Sequence, residues 1–226
     1  MEETKSKDSI IKRNSVKANY DKIAKFYSDD FGTYIEDLDI YAEFEQYLKP
    51  GATILDLGAG SGRTYAYFNR KGYKYTALDF SQKMKNYAFK IHGEFPYIVD
   101  DIMNVKNHFN DNSLDAVFAV YSLFHLPRED FERVITDIYD ILKKDGMFLM
   151  SFQIGKGEKF VDEPYLKEKG KSVLFMNYFS KQEVYNILQR NNFELLYEKE
   201  KHEEGDGIIG ENGNDAVYVI LRKKEE

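Results

Sequence analysis

The stretch that most restricts the fold is residues 52–62, ATILDLGAGSG, in which a short apolar run ends in three glycines within five residues. An apolar run of this length, closed by turn residues, reads as a buried strand over Thr53–Leu57. The glycines let the chain turn sharply, and the pattern then becomes helical as far as Lys71, where Gly72 ends it. YKYTALD follows as a second strand, and it finishes on Asp79, 21 residues after Gly58. A strand, glycine turn, helix and strand in that order form a βαβ unit. Such a unit pairs its strands in parallel through a right-handed crossover.

The alternation continues along the chain. Ser81 caps an expected helix to about Ile91, FPYIVD is a third strand, LDAVFAVY a fourth and GMFLMSF a fifth, with a helix over Arg128–Lys143 between the last two. Continuous apolar strands separated by helices imply a sheet covered on both faces, an α/β doubly wound architecture. Ahead of it, residues 1–9 read as a solvated flexible tail. Residues 10–48 read as an N-terminal helical cap, one helix over Ile10–Phe31 and a second over Glu36–Leu48, stopped by Pro50-Gly51. Residues 153–180 are aromatic and charged without a clear period. They read as a lid or insertion, with short strands at Lys159–Val161 and Ser172–Tyr178. Ser180 then caps a helix to Arg190, and the strands FELLYEKE and DAVYVILRK pair antiparallel across the Gly-, Asn- and Asp-rich connection HEEGDGIIGENGND. The 226 residues suit a single domain.

Composition removes several chemistries. With no cysteine there is no disulfide framework, thiol nucleophile, Cys-ligated zinc or iron–sulfur cluster. The four histidines, at 92, 108, 125 and 202, are too dispersed for a helix-borne metal pair, so no metal site is expected. The net charge of −7 disfavours a nucleic-acid partner. No apolar run approaches the roughly 20 residues of a membrane span, and the polar N-terminus lacks a secretory core. The expectation is a cytoplasmic protein without a membrane partner, as monomer or homodimer.

In an open parallel sheet, ligands sit beyond the carboxyl ends of the strands. There Gly58 and Gly60 permit close backbone approach, the next helix offers unpaired N–H groups, and Asp79 can accept hydrogen bonds from ribose hydroxyls. A nucleoside-containing ligand is therefore expected. Arg63 stands where a dinucleotide fingerprint would have its third glycine, which disfavours an NAD-dependent oxidoreductase. No GxxxxGK[ST] loop for ATP or GTP is present.

On these residues the chain resembles the class I S-adenosylmethionine-dependent methyltransferases, particularly their small-molecule branch. The acidic-xGxGxG motif looks like Asp56 to Gly62. The ribose-binding acid is similar to Asp79 in LDFSQKM. The acid that meets the adenine amino group is similar to Asp101 in VDDIMNV, with Asp100 as the competing assignment. A fourth motif resembles Asp115 to Tyr121, and YDKIAKFY resembles the family's opening helix. The resemblance implies a Rossmann-like seven-stranded sheet in the order 3-2-1-4-5-7-6, with strand seven antiparallel. It implies S-adenosylmethionine as cofactor and S-adenosylhomocysteine as product. Gly58, Ala59, Gly60 and Gly62 would then border the methionine and ribose parts, and Asp56 would lie near the ammonium. Phe80 and Met84 would sandwich the adenine and Ile102 would donate from its backbone. Val120, Tyr121 and Tyr20 would close the methionine end.

A sulfonium-bound methyl group is already activated, so transfer needs chiefly an in-line nucleophile about 3–3.5 Å away in a dry pocket. His125, with Tyr121 beside it, is the candidate general base, since an ordinary imidazole pKa of about 6.5 suits proton acceptance near neutrality. Arg63 reads as a surface residue. The absence of cysteine and of a [DNS]PP[YF] loop argues against the usual base-methylating chemistries and favours a small-molecule methyl acceptor at N, O or C, with protein substrates still open. The competing reading is a noncatalytic S-adenosylmethionine-binding regulator.

Overall fold

A computed structural model describes residues 2–35, 37–162, 173–203 and 214–224. Helix α1 spans Glu2–Phe31. It starts inside the stretch expected to be a tail, because residues 1–31 contain neither glycine nor proline and Ser9 is already buried against Asp130. Its buried positions Ser9, Val16, Asn19, Ile23, Ala24 and Ser28 recur at mostly three- and four-residue steps. Helix α2 covers Leu38–Glu45, shorter than the expected 36–48; Glu36 lies outside the described residues.

The βαβ alternation holds along the chain. Strands β1 (Thr53–Leu57), β2 (Lys74–Asp79), β3 (Tyr97–Val99), β4 (Leu114–Ala119) and β5 (Leu142–Ile154) pair in parallel in the order β3-β2-β1-β4-β5. Between them lie α3 (Tyr65–Arg70), α4 (Gln82–His92) and α5 (Arg128–Ile141). The Ser81 hydroxyl caps α4 by accepting from Met84 N at 3.1 Å. Alternate residues of each strand feed opposite faces. Leu55, Leu57, Val117 and Phe148 pack against Phe131, Val134 and Ile138 of α5, whereas Ile54, Ala77, Phe118 and Leu149 pack against Tyr41 and Phe44 of α2 and Phe68 of α3.

The described residues form nine strands where seven were expected. The two additional ones, β6 (Gly157–Asp162) and β7 (Val173–Phe179), make an antiparallel hairpin from the stretch read as a lid. β7 joins the sheet in parallel at Gln153 and Ile154, at the end of β5 and past its pairing with β4. Residues 163–172, including Ser172 of the expected strand, lie outside the described set. A capping box on Ser180 and Glu183 opens α6 (Lys181–Arg190). β8 (Phe193–Glu203) and β9 (Asn214–Lys223) then pair antiparallel, and β9 pairs antiparallel with β5. With the hairpin set aside, the order is the expected 3-2-1-4-5-7-6, β9 being its reversed seventh strand. The Gly- and Asn-rich connection, 204–213, is outside the described residues. A third apolar cluster, of Val16 with Phe124, Phe175, Met176 and Tyr178, sits over the strand tips and binds α1 to the hairpin. Among the described residues no helix is long and apolar enough to cross a membrane.

Candidate active site

A cavity of about 850 Å³, open space at its mouth included, lies where β1, β2 and β4 end. Gly58 (φ +87°) and Gly60 (φ +52°) form its floor in the left-handed region that glycine adopts without strain. A Cβ on Gly58 would stand 2.3 Å from Ser122 Cβ, so only glycine lets the loop after β4 close against the first turn. Gly60 faces the cavity, and a Cβ there would meet nothing nearer than Tyr27 at 3.7 Å.

Asp79 closes one side. Its Oδ2 accepts from Gly60 N at 2.9 Å and its Oδ1 from Ser81 N at 2.8 Å. An ionised carboxylate has about four acceptor positions, so each oxygen retains one for a ligand hydroxyl. Asp56 uses Oδ2 for Thr64 Oγ1 (2.7 Å) and Tyr75 OH (2.5 Å) and lines the cavity. Burial pushes both carboxyls up to about 6, outweighing the hydrogen bonds each accepts and, for Asp56, the attraction of Arg63. This donor and acceptor set fits an adenosyl group carrying an ammonium.

Phe80, Met84, Ile102 and Asp101 line the same end, with Ala59 and Val120 close to the floor. Asp101 is the carboxylate that faces the cavity; it accepts from Arg13 Nε at 2.9 Å and caps Met103 N at 3.0 Å. Asp100 points elsewhere, to His108 Nε2 (2.7 Å) and Asn104 (2.8 Å). Gly62 does not line the cavity either. A Cβ there would meet the Phe95 ring at 2.8 Å, so its glycine serves packing against that ring.

Tyr20 and His125 occupy the other end. His125 Nδ1 donates to the Phe175 carbonyl at 3.0 Å, which leaves Nε2 to accept from Tyr20 OH at 2.8 Å. Burial lowers the imidazole to about 4, not the 6.5 expected of an ordinary histidine. His125 is therefore neutral near pH 7 and acts as a hydrogen-bond acceptor. Tyr121 has an uncommon positive φ of +59° at the end of β4. Its N–H donates to Ser151 Oγ at 2.8 Å and its hydroxyl meets Tyr218, so the phenol is a wall of the cavity and not a partner of His125.

Among the lining residues that sequence reasoning missed are Arg13, Tyr27, Tyr41 and Arg63. Arg63 is not at the surface. Its side chain is 11% exposed, its ion-pair partner is Asp37 at 3.9 Å, and its guanidinium lies 5.6 Å from the Tyr121 ring centre. Arg13 binds Asp101 and Asp130, holding α1 across the cavity. Asp21 of α1 accepts from Ser81 Oγ at 2.6 Å, and Asn19 reaches the Val173 carbonyl of the hairpin. No group of His, Asp and Glu among the described residues could hold a metal ion.

Residues 55–150 match the family model described as "Methyltransferase domain". Phosphoethanolamine N-methyltransferase 2 of Caenorhabditis elegans is 33% identical over 56% of this chain and 29% of its own length. Sterol 24-C-methyltransferase of Kluyveromyces lactis is 30% identical over 54% of this chain and 34% of its own. The chain thus spans about a third of the curated relatives it matches. Among solved structures, a Burkholderia thailandensis 1,6-didemethyltoxoflavin-N1-methyltransferase, with its acceptor and S-adenosylhomocysteine bound, superposes with a TM-score of 0.72 at 16% identity, covering 96% of this chain and 91% of that one. Fold, strand-tip cavity and family match point the same way: residues 55–150 match a methyltransferase domain, on a fold shared with solved methyltransferases.

Proposed function

We propose that the protein transfers a methyl group from S-adenosylmethionine to a small-molecule N, O or C acceptor by in-line displacement. The observation that carries this reading is the polarity of the single crevice: Asp79 and the Gly58–Gly60 turn at one end, and the Tyr20–His125 pair at the other. The cofactor, when bound, supplies an electrophilic methyl on a sulfonium. The chain's own part is to hold and orient. Asp79 receives the ribose hydroxyls, Asp56 faces the ammonium, and Phe80, Met84 and Ile102 enclose the base, with Asp101 toward its amino group. Tyr27, Tyr121 and α1 exclude water, which strengthens every electrostatic contact inside.

At the acceptor end, His125 accepts the Tyr20 hydroxyl proton in a hydrogen bond. The Tyr20 hydroxyl is thereby held in one orientation at the acceptor end. With a pKa of about 4, His125 positions Tyr20 and does not by itself deprotonate an ammonium. An acceptor that reacts as a neutral amine, a phenol or an activated carbon suits such a site better than one needing a strong base. The phosphoethanolamine and sterol relatives lend support to a small acceptor.

The test is a titration with S-adenosylhomocysteine and, separately, NAD, followed by a methyl-release screen over amines, phenols and carboxylates. S-adenosylhomocysteine should bind and NAD should give no heat. Tight NAD binding would overturn the assignment, and cofactor binding without turnover on any acceptor class would favour the regulator reading.

A further inference from the structure

The groups proposed to hold the cofactor are almost closed off from solvent. Asp56 and Asp79 are 6% and 7% exposed, and Met84 and Val120 are buried with them. Helix α1 supplies much of the enclosure, contributing Arg13, Val16, Tyr20 and Tyr27 to the cavity lining. A ligand with an adenosyl group reaches the glycine turn only when part of that enclosure yields.

The two halves of α1 are attached in different ways. Residues 21–32 run alongside α4. Asp21 accepts from Ser81, the cap of α4, at 2.6 Å, and His92, its last residue, donates to the Gly32 carbonyl at 2.9 Å. Between those points Ile23, Ala24 and Ser28 are buried. A Cβ on Gly32 would stand 2.4 Å from Ile91, so this end is tightly seated. Residues 9–20 leave α4 and cross the cavity, and their attachments are mostly polar. Ser9 Oγ and Arg13 Nη1 both donate to the buried Asp130 of α5. Arg13 Nε donates to Asp101 at 2.9 Å, and Lys12 Nζ donates to Glu158 of β6 at 2.9 Å. Asn19 donates to the Val173 carbonyl of β7, and Tyr20 donates to His125. Val16 joins the apolar cluster around Phe175, whereas Ile10 and Ile11 are exposed. Apolar burial thus holds the second half of the helix, and largely charge-assisted hydrogen bonds hold the first.

Arg13 is the centre of the polar half. Its guanidinium joins Asp101, which faces the cavity at the end proposed for adenine, to Asp130, which lies in the first turn of α5. Tyr20 follows seven residues later on the same helix, two turns or about 10 Å along its axis. One rigid element therefore connects the carboxylate at the adenine end with the hydrogen bond at the acceptor end. A base seated beside Asp101 excludes water from the Arg13–Asp101 pair, and that strengthens it.

We propose that residues 9–20 are a strap, lifted for cofactor exchange and fastened over the bound cofactor by the Arg13 clasp on Asp101 and Asp130. This rests on the methyl-transfer reading and adds an order of events to it. With the strap lifted, Tyr20 leaves His125, so the acceptor end is assembled only once the adenosine end is filled.

The experiment follows amide hydrogen exchange along α1 by mass spectrometry, and S-adenosylhomocysteine release by stopped-flow tyrosine fluorescence, in the full chain. Without ligand, residues 9–20 should exchange about tenfold faster than 21–31, or more, and S-adenosylhomocysteine should slow the first set alone. Adenosine, which fills the end next to Asp101, should protect the same residues, and methionine should not. Asp130→Asn keeps an acceptor oxygen but removes the charge from one side of the clasp. It should speed S-adenosylhomocysteine release by about three- to tenfold and raise exchange at 9–20, leaving 21–31 unchanged. Added salt should do the same to the wild type and less to the variant. Uniform exchange along the whole of α1, or release and exchange unaltered by both salt and Asp130→Asn, overturns the strap. A variant that unfolds loses protection in the sheet as well, and the wild-type exchange and salt series then decide. Failure of the methyl-transfer reading looks different: wild type ignores S-adenosylhomocysteine, while the contrast between the two halves of α1 and its response to salt remain.

Discussion

Replacing Asp79 by Asn separates the two duties of that carboxylate, capping the glycine turn and meeting the ligand. In the free protein, Asp79 accepts from Gly60 N and Ser81 N. Asn has one oxygen, so one of these N–H groups then faces an amide NH2, a loss of about 1–3 kcal/mol for an unsatisfied buried donor. Against this, burial holds the Asp79 carboxyl at about 6 instead of 3.8. Keeping it ionised at pH 7.5 therefore costs roughly 3 kcal/mol, which the amide does not incur. The two changes offset, and the melting temperature should shift by only a few degrees. Ligand affinity has no such compensation. Losing one or two charge-assisted bonds to ribose hydroxyls is worth about 2–4 kcal/mol, or roughly 30- to 1,000-fold in the dissociation constant of S-adenosylhomocysteine. A pH series adds a second readout. A ligand that needs the carboxylate form must displace the proton, so wild-type affinity should fall as pH drops below about 6. In Asp79→Asn the fall should be shallower and begin lower, because one titrating group is gone and Asp56 no longer feels its charge. An unchanged dissociation constant, with an unchanged pH slope, would refute the placement of the ribose.

Tyr20→Phe and His125→Ala should each lower turnover by about 3- to 10-fold, the worth of one positioning hydrogen bond, and the double variant should be little worse than the poorer single one. Independent, multiplying effects on kcat would show that the two do not act as a unit. Gly58→Ala must move Ser122, whose hydroxyl donates to the Leu57 carbonyl at 2.7 Å, and must adopt a left-handed φ. Denaturant melts should register a loss of about 2–5 kcal/mol, and a stable variant would mean that the loop after β4 yields easily. His125 has a folded pKa lowered to about 4, so it contributes stability above pH 6.5 that disappears as pH falls through 4. Asp56 and Asp79, raised to about 6, act oppositely, gaining stability as pH falls through that value. His125→Gln should therefore flatten the acid-side loss of melting temperature between pH 6.5 and 4, and a profile matching wild type would contradict a buried neutral imidazole.

Features fixed by neighbours in the chain were legible in the sequence. The β1 run, its glycines and Asp79 lie within 27 residues, and the geometry of a βαβ unit brings them together without help from elsewhere. Ser81 and Ser180 are local caps and were readable for the same reason. What was not legible depends on distant packing. Arg63 follows the glycine turn and by position alone belongs at the surface; it is enclosed because Asp37 and Tyr41 come over it from the segment before β1. Arg13 finds Asp130 across 117 positions. The lowered pKa of His125 comes from burial, opposed by a carbonyl 50 residues downstream. The β6–β7 strands were legible as Lys159–Val161 and Ser172–Tyr178, but their place in the sheet was not, because their partner is the overhanging end of β5.

That hairpin also divides the labour of the molecule. The groups proposed to hold adenosine, from Asp56 to Asp101, lie in the α/β core, whereas Tyr20 and the carbonyl that fixes the His125 tautomer come from α1 and β7. Exchanging or reshaping those two outlying pieces could retune which nucleophile is admitted while leaving the methyl donor's berth intact. Recombination confined to residues 2–31 and to the hairpin strands 157–162 and 173–179 is the direct test of whether these pieces set acceptor choice.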